Sequence, residues 1–267
     1  MTGKKLNYRH PRDFNEKLMW LTRYWQHPLK TKCADKYLVR DYVKECGLEE
    51  ILVPLIAVYD SADEIDFNAL PDSFVLKCNH GSGFNIIVRD KKEIDEGKVR
   101  KQLDEWMAVD FHKLAYEIHY RDIPRKIVCE KLLSNTAPTE YQVRMINGNP
   151  VSICACSKGD GTMQTYKENS YNLDWTENAD CEEGLQRGNF DKPQNLDMIL
   201  EYATVLSTSF PFVRADFYEV GENVYFAELT FSPSTNCLHY PQERLNELGN
   251  MLVLPTKYIP RNVPLNH

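Results

Sequence analysis

The stretch FPFVRADFYEVGENVYFAELTFSP, from Phe210 to Pro233, decides how the chain is read. Two runs of alternating residues flank Gly221-Glu222-Asn223. They predict a β-hairpin closed by a three-residue loop, with Asn223 in the left-handed position such loops need. Side chains alternate across a strand, so Arg214 and Asp216 share a face, as do Glu228 and Thr230. A three-residue loop pairs Asp216 with Glu228 and Arg214 with Thr230. Carboxylates directly opposite one another repel, so the pair asks for a positive partner. A hard divalent cation such as Mg²⁺ suits oxygen donors of this kind. The plainer alternative is an edge hairpin whose polar face meets water, with Arg214 and Asp216 joined in a merely structural bridge.

Around this hairpin the chain alternates helices and strands. Asp13 or Asn15 caps a helix running to about Trp25, with Phe14, Leu18 and Leu21 at helical spacing. Asp35 is the expected N-cap of a second helix, DKYLVRDYVKEC, which Gly47 stops. ILVPLIAVYD (residues 51–60) is a short apolar strand or strand pair. FVLKCNHGSGFNIIVRD (residues 74–90) reads as strand, glycine-rich turn, strand. Such a turn can lay backbone N–H groups over phosphates. It lacks the GxxxxGK[ST] pattern and no helix follows it, so neither a Walker loop nor a dinucleotide fingerprint is present. Residues 91–120 are helical, with Leu103, Trp106 and Met107 facing a core. KIVCEKLL (residues 126–133) is a strand. Residues 141–146 and 150–156 form a hairpin around Asn147-Gly148. Residues 159–192 are polar and irregular, the signature of a functional loop or flap. Leu196, Ile199, Ala203 and Leu206 mark a helix ahead of the organising hairpin, and residues 242–251 a short one after it.

Composition narrows the class. The chain has 267 residues, 42% hydrophobic, enough for one large domain or two small lobes. With 39 acidic against 32 basic residues, a nucleic-acid partner is not expected, and any phosphate site must be local. Eight cysteines, at 33, 46, 78, 129, 154, 156, 181 and 237, form no CxxC pair. Several sit in apolar runs, as small buried thiols do, which fits a reduced, cytoplasmic protein. No leader-like apolar segment opens the chain, and no run is long enough to span a bilayer.

The order is a helix with DK, a strand with LK and a GSG turn, a strand with EK, then RxD and ExT before a proline. It resembles the ATP-grasp superfamily. Within that superfamily NEKLMWL, ADKYLVRDYV, FVLKCNHGSGFNIIV, FVRADFY and FAELTFSPS are similar to the teichuronopeptide-biosynthesis (TupA-like) family, associated with cell-surface polysaccharide loci. The resemblance covers about residues 5–255 and implies an α+β fold, two lobes whose antiparallel sheets grip ATP between them. On that basis residues 1–34 are a short N-terminal helical segment and 35–255 the ATP-grasp domain, with a smaller lobe at about 74–133 and a larger one at about 134–255. Residues 256–267 are a tail.

The resemblance also implies roles. Lys36 and Lys77 match the lysines that hold ATP phosphates, and Ser82 and Gly83 the loop that covers them. Glu130 matches the carboxylate facing the adenine amino group, and Lys131 to Leu133 the hinge that reads the adenine edge. Glu140 is a candidate ribose carboxylate. Asp216 and Glu228 match the Mg²⁺ carboxylates, Thr230 the third ligand position, and Arg214 the arginine that stabilises the transferring phosphate. Lys158 and Lys167 are both candidates for a flap lysine at the γ-phosphate. Thr230 departs from the usual asparagine, and Ser234-Thr235-Asn236 from the glycine that usually follows Pro233. The implied activity is ATP-dependent carboxylate–amine ligation through an acyl phosphate, on a surface glycan or its precursor. Two rivals are a nucleotide-sugar glycosyltransferase and a non-catalytic nucleotide-binding subunit.

Overall fold

The computed structural model describes residues 6–157, 165–178, 180 and 185–259. The chain divides into two compact units, one formed by Thr31–Thr136 and the other by Met1–Lys30 with Ala137–His267.

The first helix, α1 (Phe14–Tyr24), is capped by Asp13, whose side chain accepts from the Glu16 N–H. Its apolar stripe of Phe14, Leu18 and Leu21 is buried, as the spacing predicts. A short helix, α2 (Pro28–Ala34), follows. The next helix, α3 (Val39–Glu45), begins three residues later than a cap at Asp35 predicts. Asp35 instead caps the turn before it, accepting from the N–H groups of Tyr37 and Leu38 at 2.8 and 3.2 Å.

The Thr31–Thr136 unit is built on a four-stranded antiparallel sheet of β1 (Leu55–Tyr59), β2 (Phe74–Cys78), β3 (Asn85–Val88) and β4 (Ile127–Lys131), in the order β1-β4-β2-β3. Helices α4 (Glu96–Met107) and α5 (Phe111–Ala115) lie between β3 and β4 in the chain. Phe74, Leu76, Cys78, Ile127 and Cys129 alternate onto one face and pack with Leu103 of α4 into a core. Alternation puts Val75, Lys77, Val128 and Glu130 on the opposite face.

The other unit carries a six-stranded sheet. Its strands are β5 (Glu140–Ile146), β6 (Asn149–Ser157), β7 (Lys167–Tyr171), β8 (Gln186–Arg187), β9 (Phe212–Val220) and β10 (Asn223–Thr230). The order is β10-β9-β5-β6-β7-β8, antiparallel except for the short β7–β8 pair. Helix α6 (Leu196–Ser207) packs on β5, β6 and β9, burying Val143, Ile153, Val213, Ala215 and Phe217. Helix α7 (Gln242–Met251) packs against α1.

Two expectations need correction. The hairpin loop is a two-residue turn, Gly221-Glu222, with Asn223 already paired to Val220. A bulge between Phe226 and Glu228 then inserts one residue, which restores Asp216 opposite Glu228 and Arg214 opposite Thr230. The pairing expected from the loop length thus comes from the bulge. Residues 159–192 are not wholly irregular: β7 lies within them, with Glu168, Asn169 and Ser170 buried. Its sequence KENSY lacks the apolar alternation by which strands are recognised.

Candidate functional site

In the Thr31–Thr136 unit the chemistry gathers on the sheet face opposite the core and at the β2–β3 turn. Glu130 stands opposite Val75, diagonal to Lys77. Lys77 Nζ donates to Glu130 Oε2 at 2.6 Å, and Arg40 Nη1 donates to Glu130 Oε1 at 3.2 Å. One buried carboxylate thus holds two cations and leaves a positive excess. Lys36 lies beside the turn, its Nζ donating to the Gly81 carbonyl at 2.6 Å. Two glycines are required in this turn. Gly83 has φ +78°, and a Cβ on Gly81 would come within 2.9 Å of the Phe84 and Phe111 rings. Ser82 and Gly83 are exposed at its tip. Lys131 is exposed at the end of β4, its N–H donating to the Pro54 carbonyl, and Leu133 is half-buried just beyond.

His80 is buried in the same turn against Phe84. Burial pushes its pKa down, and nearby Arg125 adds to that, outweighing the backbone of Trp106 and Val109, which favours the charged ring.

In the other unit the polar face of the six-stranded sheet carries Arg214, Asp216, Glu228 and Thr230 in register. Arg214 grips Asp216 with two forks, Nε to Oδ1 at 2.8 Å and Nη2 to Oδ2 at 2.6 Å. Thr230 Oγ1 donates to Glu228 Oε1 at 3.2 Å and lies 3.4 Å from Asp216 Oδ2. Arg214 Nη2 stands 3.9 Å from Glu228 Oε1, so one guanidinium faces two carboxylates. Asp216 is fully buried, while the Glu228 side chain is 33% exposed. Burial pushes the Asp216 carboxyl up, to about 7, against the pull of Arg214. Burial also works against the Arg214 charge, yet Asp216 outweighs it and holds the guanidinium well above its usual range. The two directions differ over which effect wins at this contact. Two short bonds from a guanidinium that does not deprotonate favour a charged pair from neutral pH upward.

Glu140 and Gln142 continue this face along β5, opposite Tyr218 and Asp216, with Gln142 Nε2 donating to Glu140 Oε1 at 2.7 Å. Among the described residues, no three His, Cys, Asp or Glu side chains gather as a metal cluster. The Asp216–Glu228–Thr230 set nevertheless suits Mg²⁺, which keeps its own waters and commonly takes one or two carboxylates. Lys167 is exposed at the start of β7, and Lys158 lies outside the described residues.

One part of the site is absent from the expectations. Arg144, directly opposite Arg214, lies in a pocket of about 230 Å³ on the same sheet face. Arg144 Nη1 donates to Asp180 Oδ2 at 2.8 Å and to Ser152 Oγ at 2.7 Å. Its Nη2 donates to the Tyr240 hydroxyl at 2.5 Å. Arg244 closes on Asp180 from the other side at 2.6 Å. Burial pushes Asp180 up, but the bond from Arg244 and the charges of both arginines outweigh it and hold the carboxyl below its usual value. Glu168 and Tyr166 line the pocket too, with the Tyr166 hydroxyl donating to Glu168 Oε2 at 2.9 Å. The polar alternation Glu140, Gln142, Arg144 was a signal for Arg144. Nothing local announced Asp180 or Glu168.

Ser234 lines the pocket, and Ser234, Thr235 and Asn236 are all left-handed, with φ of +47°, +50° and +63°. A β-branched residue there is an outlier, and such strain gathers at ligand sites. Asn236 Nδ2 donates to Thr22 Oγ1, which anchors the segment to α1.

These two sheets and their polar faces define a protein of the ATP-grasp fold. The TupA-like ATP-grasp family matches residues 16–253, and the chain belongs to it. D-alanine–D-alanine ligase from Bacillus anthracis, solved with ATP, is similar in fold, with a TM-score of 0.50 at 15% identity. That match covers 82% of this chain and 64% of the ligase, so the chain spans less than two thirds of its relative. The L-amino acid ligase from Bacillus licheniformis aligns with a TM-score of 0.45 at 12% identity, covering 74% of this chain and 40% of that one. The ATP-grasp ligase PsnB, solved with Mg and ADP, aligns at 0.45 and 10%, covering 78% and 53%. No curated protein sequence matches the chain. Among the described residues, no helix is long and apolar enough to cross a membrane.

Proposed function

We propose that the protein is an ATP-dependent ligase that activates a carboxylate as an acyl phosphate and joins it to an amine. The observation that carries this is the β9–β10 face, where Asp216 and Glu228 stand opposite one another and one arginine faces both. Its acids outnumber its cation, so it favours a metal ion. Asp216 and Glu228, with Thr230, would hold Mg²⁺. That ion, when bound, supplies charge neutralisation for the ATP phosphates.

Arg214 does the protein's share on this face. Asp216 fixes its guanidinium in one orientation, and a pre-set cation stabilises charge that develops as the substrate carboxylate is phosphorylated. We assign the holding of phosphate to Lys77, Lys36 and the turn at Ser82 and Gly83. There Lys77 and Arg40 exceed the charge of Glu130. Positioned cations are what phosphoryl transfer needs from a protein. Glu130 fixes Lys77 and keeps lone pairs for an adenine amino group. Lys131 to Leu133 would read the adenine edge, and Glu140 the ribose. The family resemblance supports a surface-polysaccharide precursor as the acceptor, and use of ATP supports a cytoplasmic site of action.

The test has two parts. ATP with Mg²⁺ is expected to raise the melting temperature, since a ligand bound only by the native state stabilises it. Hydroxylamine, added with ATP and candidate carboxylates, is expected to trap the acyl phosphate as a hydroxamate. Stabilisation by UDP-sugars and not by ATP would overturn the ligase in favour of a glycosyltransferase. ATP binding with no hydroxamate from any carboxylate would favour a non-catalytic nucleotide-binding subunit.

A further inference from the structure

The segment ahead of helix α1 and the helix itself meet in a second groove, of about 500 Å³. That size lies within the range of about 300–1,000 Å³ usual for ligand sites. Helix α1 supplies Trp20 and Tyr24, four residues apart and so on one face. The chain ahead of it supplies Tyr8, Arg9 and His10, and the chain after α7 supplies Lys257. The Asn7 side chain fixes the entering loop, accepting from the N–H groups of Arg9 and His10. The returning chain is tied to the end of α1. The Tyr258 N–H donates to the Tyr24 carbonyl at 2.8 Å, and the Gln26 N–H donates to the Tyr258 carbonyl at 2.7 Å. The groove shares no residue with the pocket at Arg144.

Its aromatic wall is set in place. Tyr8 and Tyr24 meet edge to face at 5.7 Å, and Trp20 tilts against Tyr24 at 5.5 Å. The Arg23 guanidinium lies over both tyrosine rings, 5.3 and 5.5 Å from their centres, which holds the pair together. Among the described residues, the hydroxyls of Tyr8 and Tyr24 and the indole N–H of Trp20 have no hydrogen-bond partner. They are polar tips on apolar rings.

In a chain of net charge −7 this groove is locally cationic. Arg9, His10 and Lys257 line it, and no acid does. Among the described residues none of the three has an ion-pair partner; Lys257 Nζ instead sits 4.1 Å from the centre of the Tyr24 ring. A small inorganic anion would use the cations and leave the rings idle. A neutral sugar would do the reverse. A uronate uses both: its ring carries C–H groups on the faces and hydroxyls at the edge, and its carboxylate suits Arg9 and Lys257.

We propose that this groove binds a short segment of an acidic saccharide, its sugar rings on Tyr8, Trp20 and Tyr24 and its uronate carboxylates at Arg9 and Lys257. The role of that saccharide as the acceptor, gripped here through units other than the one being joined, rests on the ligase reading; its binding does not.

The experiment titrates the intact protein, without nucleotide, with trigalacturonate, neutral galactotriose and triglutamate, following calorimetric heat. Trigalacturonate is expected to bind. Galactotriose is expected to bind at least tenfold more weakly for want of charge, and triglutamate at least tenfold more weakly for want of sugar rings. Lys257→Gln, a change at an exposed position, is expected to weaken trigalacturonate about tenfold and leave galactotriose unchanged. Tyr8→Leu is expected to weaken both sugars. Tyr24→Phe, a milder change that keeps the ring and loses only the hydroxyl, is expected to weaken both severalfold. Equal binding of trigalacturonate and triglutamate, no trigalacturonate binding, unchanged affinity in Lys257→Gln, or displacement by ATP with Mg²⁺ would each overturn the assignment. Sedimentation with phosphatidylglycerol vesicles that trigalacturonate does not reverse would overturn it in favour of a lipid surface. The arms separate from the ligase test. ATP binding without trigalacturonate binding removes the groove assignment alone, and trigalacturonate binding without ATP binding removes the ligase alone.

Discussion

Glu130 and Asp216 are both buried carboxylates on the polar face of an antiparallel sheet, and both are held by short ion pairs. Their surroundings have opposite sign. Glu130 is one acid between two cations, Lys77 and Arg40. Asp216 shares one cation, Arg214, with a second acid, Glu228. The first cluster is left wanting an anion and the second a cation, although each looks like an ordinary salt bridge when viewed as a pair. On the function proposed above, net charge across the cluster, rather than the presence of a bridge, separates the phosphate side from the metal side. Asp180 is the internal control: two arginines hold it as two cations hold Glu130, and it belongs to the same sheet unit as Asp216.

The largest expected effect breaks the acidic cluster. Arg214→Ala strands Asp216 in a fully buried position, and losing one partner of a buried pair costs about 3–5 kcal/mol. Chemical denaturation reads this directly. Asp216→Asn is expected to cost clearly less, because Glu228 remains at 3.9 Å as a counter-charge to Arg214. Equal losses in the two variants would mean that Glu228 does not share the arginine.

The control comes next. Asp180→Asn is expected to cost about 2–3 kcal/mol at neutral pH, with two arginines left facing a neutral amide. The folded carboxyl lies below its unfolded value, so its stabilisation is present above about pH 4 and is lost as pH falls through the folded value. The stability gap between the native protein and Asp180→Asn should therefore close in acid. A gap that stays constant from neutral pH to pH 3 would show that packing, not charge, holds this position.

Glu130→Gln sharpens the other side of the comparison. Lys77 is 22% exposed, so solvent eases its loss of a partner, and the expected destabilisation is only about 1–2 kcal/mol. With the acid neutralised, the cluster becomes more cationic, and affinity for inorganic triphosphate should hold or rise. A fall would show that Glu130 sets the lysine's position more than it offsets its charge.

The smallest effect concerns the strained segment. Thr235 adopts φ +50° while exposed, so Thr235→Gly is expected to gain stability by up to about 1 kcal/mol. A loss of stability in the thermal melt would mean that its side chain holds the bend.

Much of the fold was legible because its signals are local. The alternation in FVRADFY and FAELTFSP marks the strands β9 and β10, and Asp13 with its apolar stripe marks α1. The Asp216–Glu228 pairing was also legible, but through a loop length that the chain does not use. A bulge at residue 227 supplies the missing residue. Strand β7 stayed hidden because Glu168 and Ser170 are buried polar groups, which are stable only against partners from elsewhere in the chain.

What the sequence determined by itself is therefore the order of elements, the family, and which acids and cations share a strand face, since period-two alternation is a property of the backbone alone. Tertiary structure decided who pairs with whom. Arg40 reaches Glu130 across ninety positions, Arg244 reaches Asp180 across sixty-four, and Arg144 comes to stand opposite Arg214 only through sheet register. Those distances decide whether a charge is neutralised or left in excess. Coulomb interactions act through space and not along the chain, so no local pattern carries them.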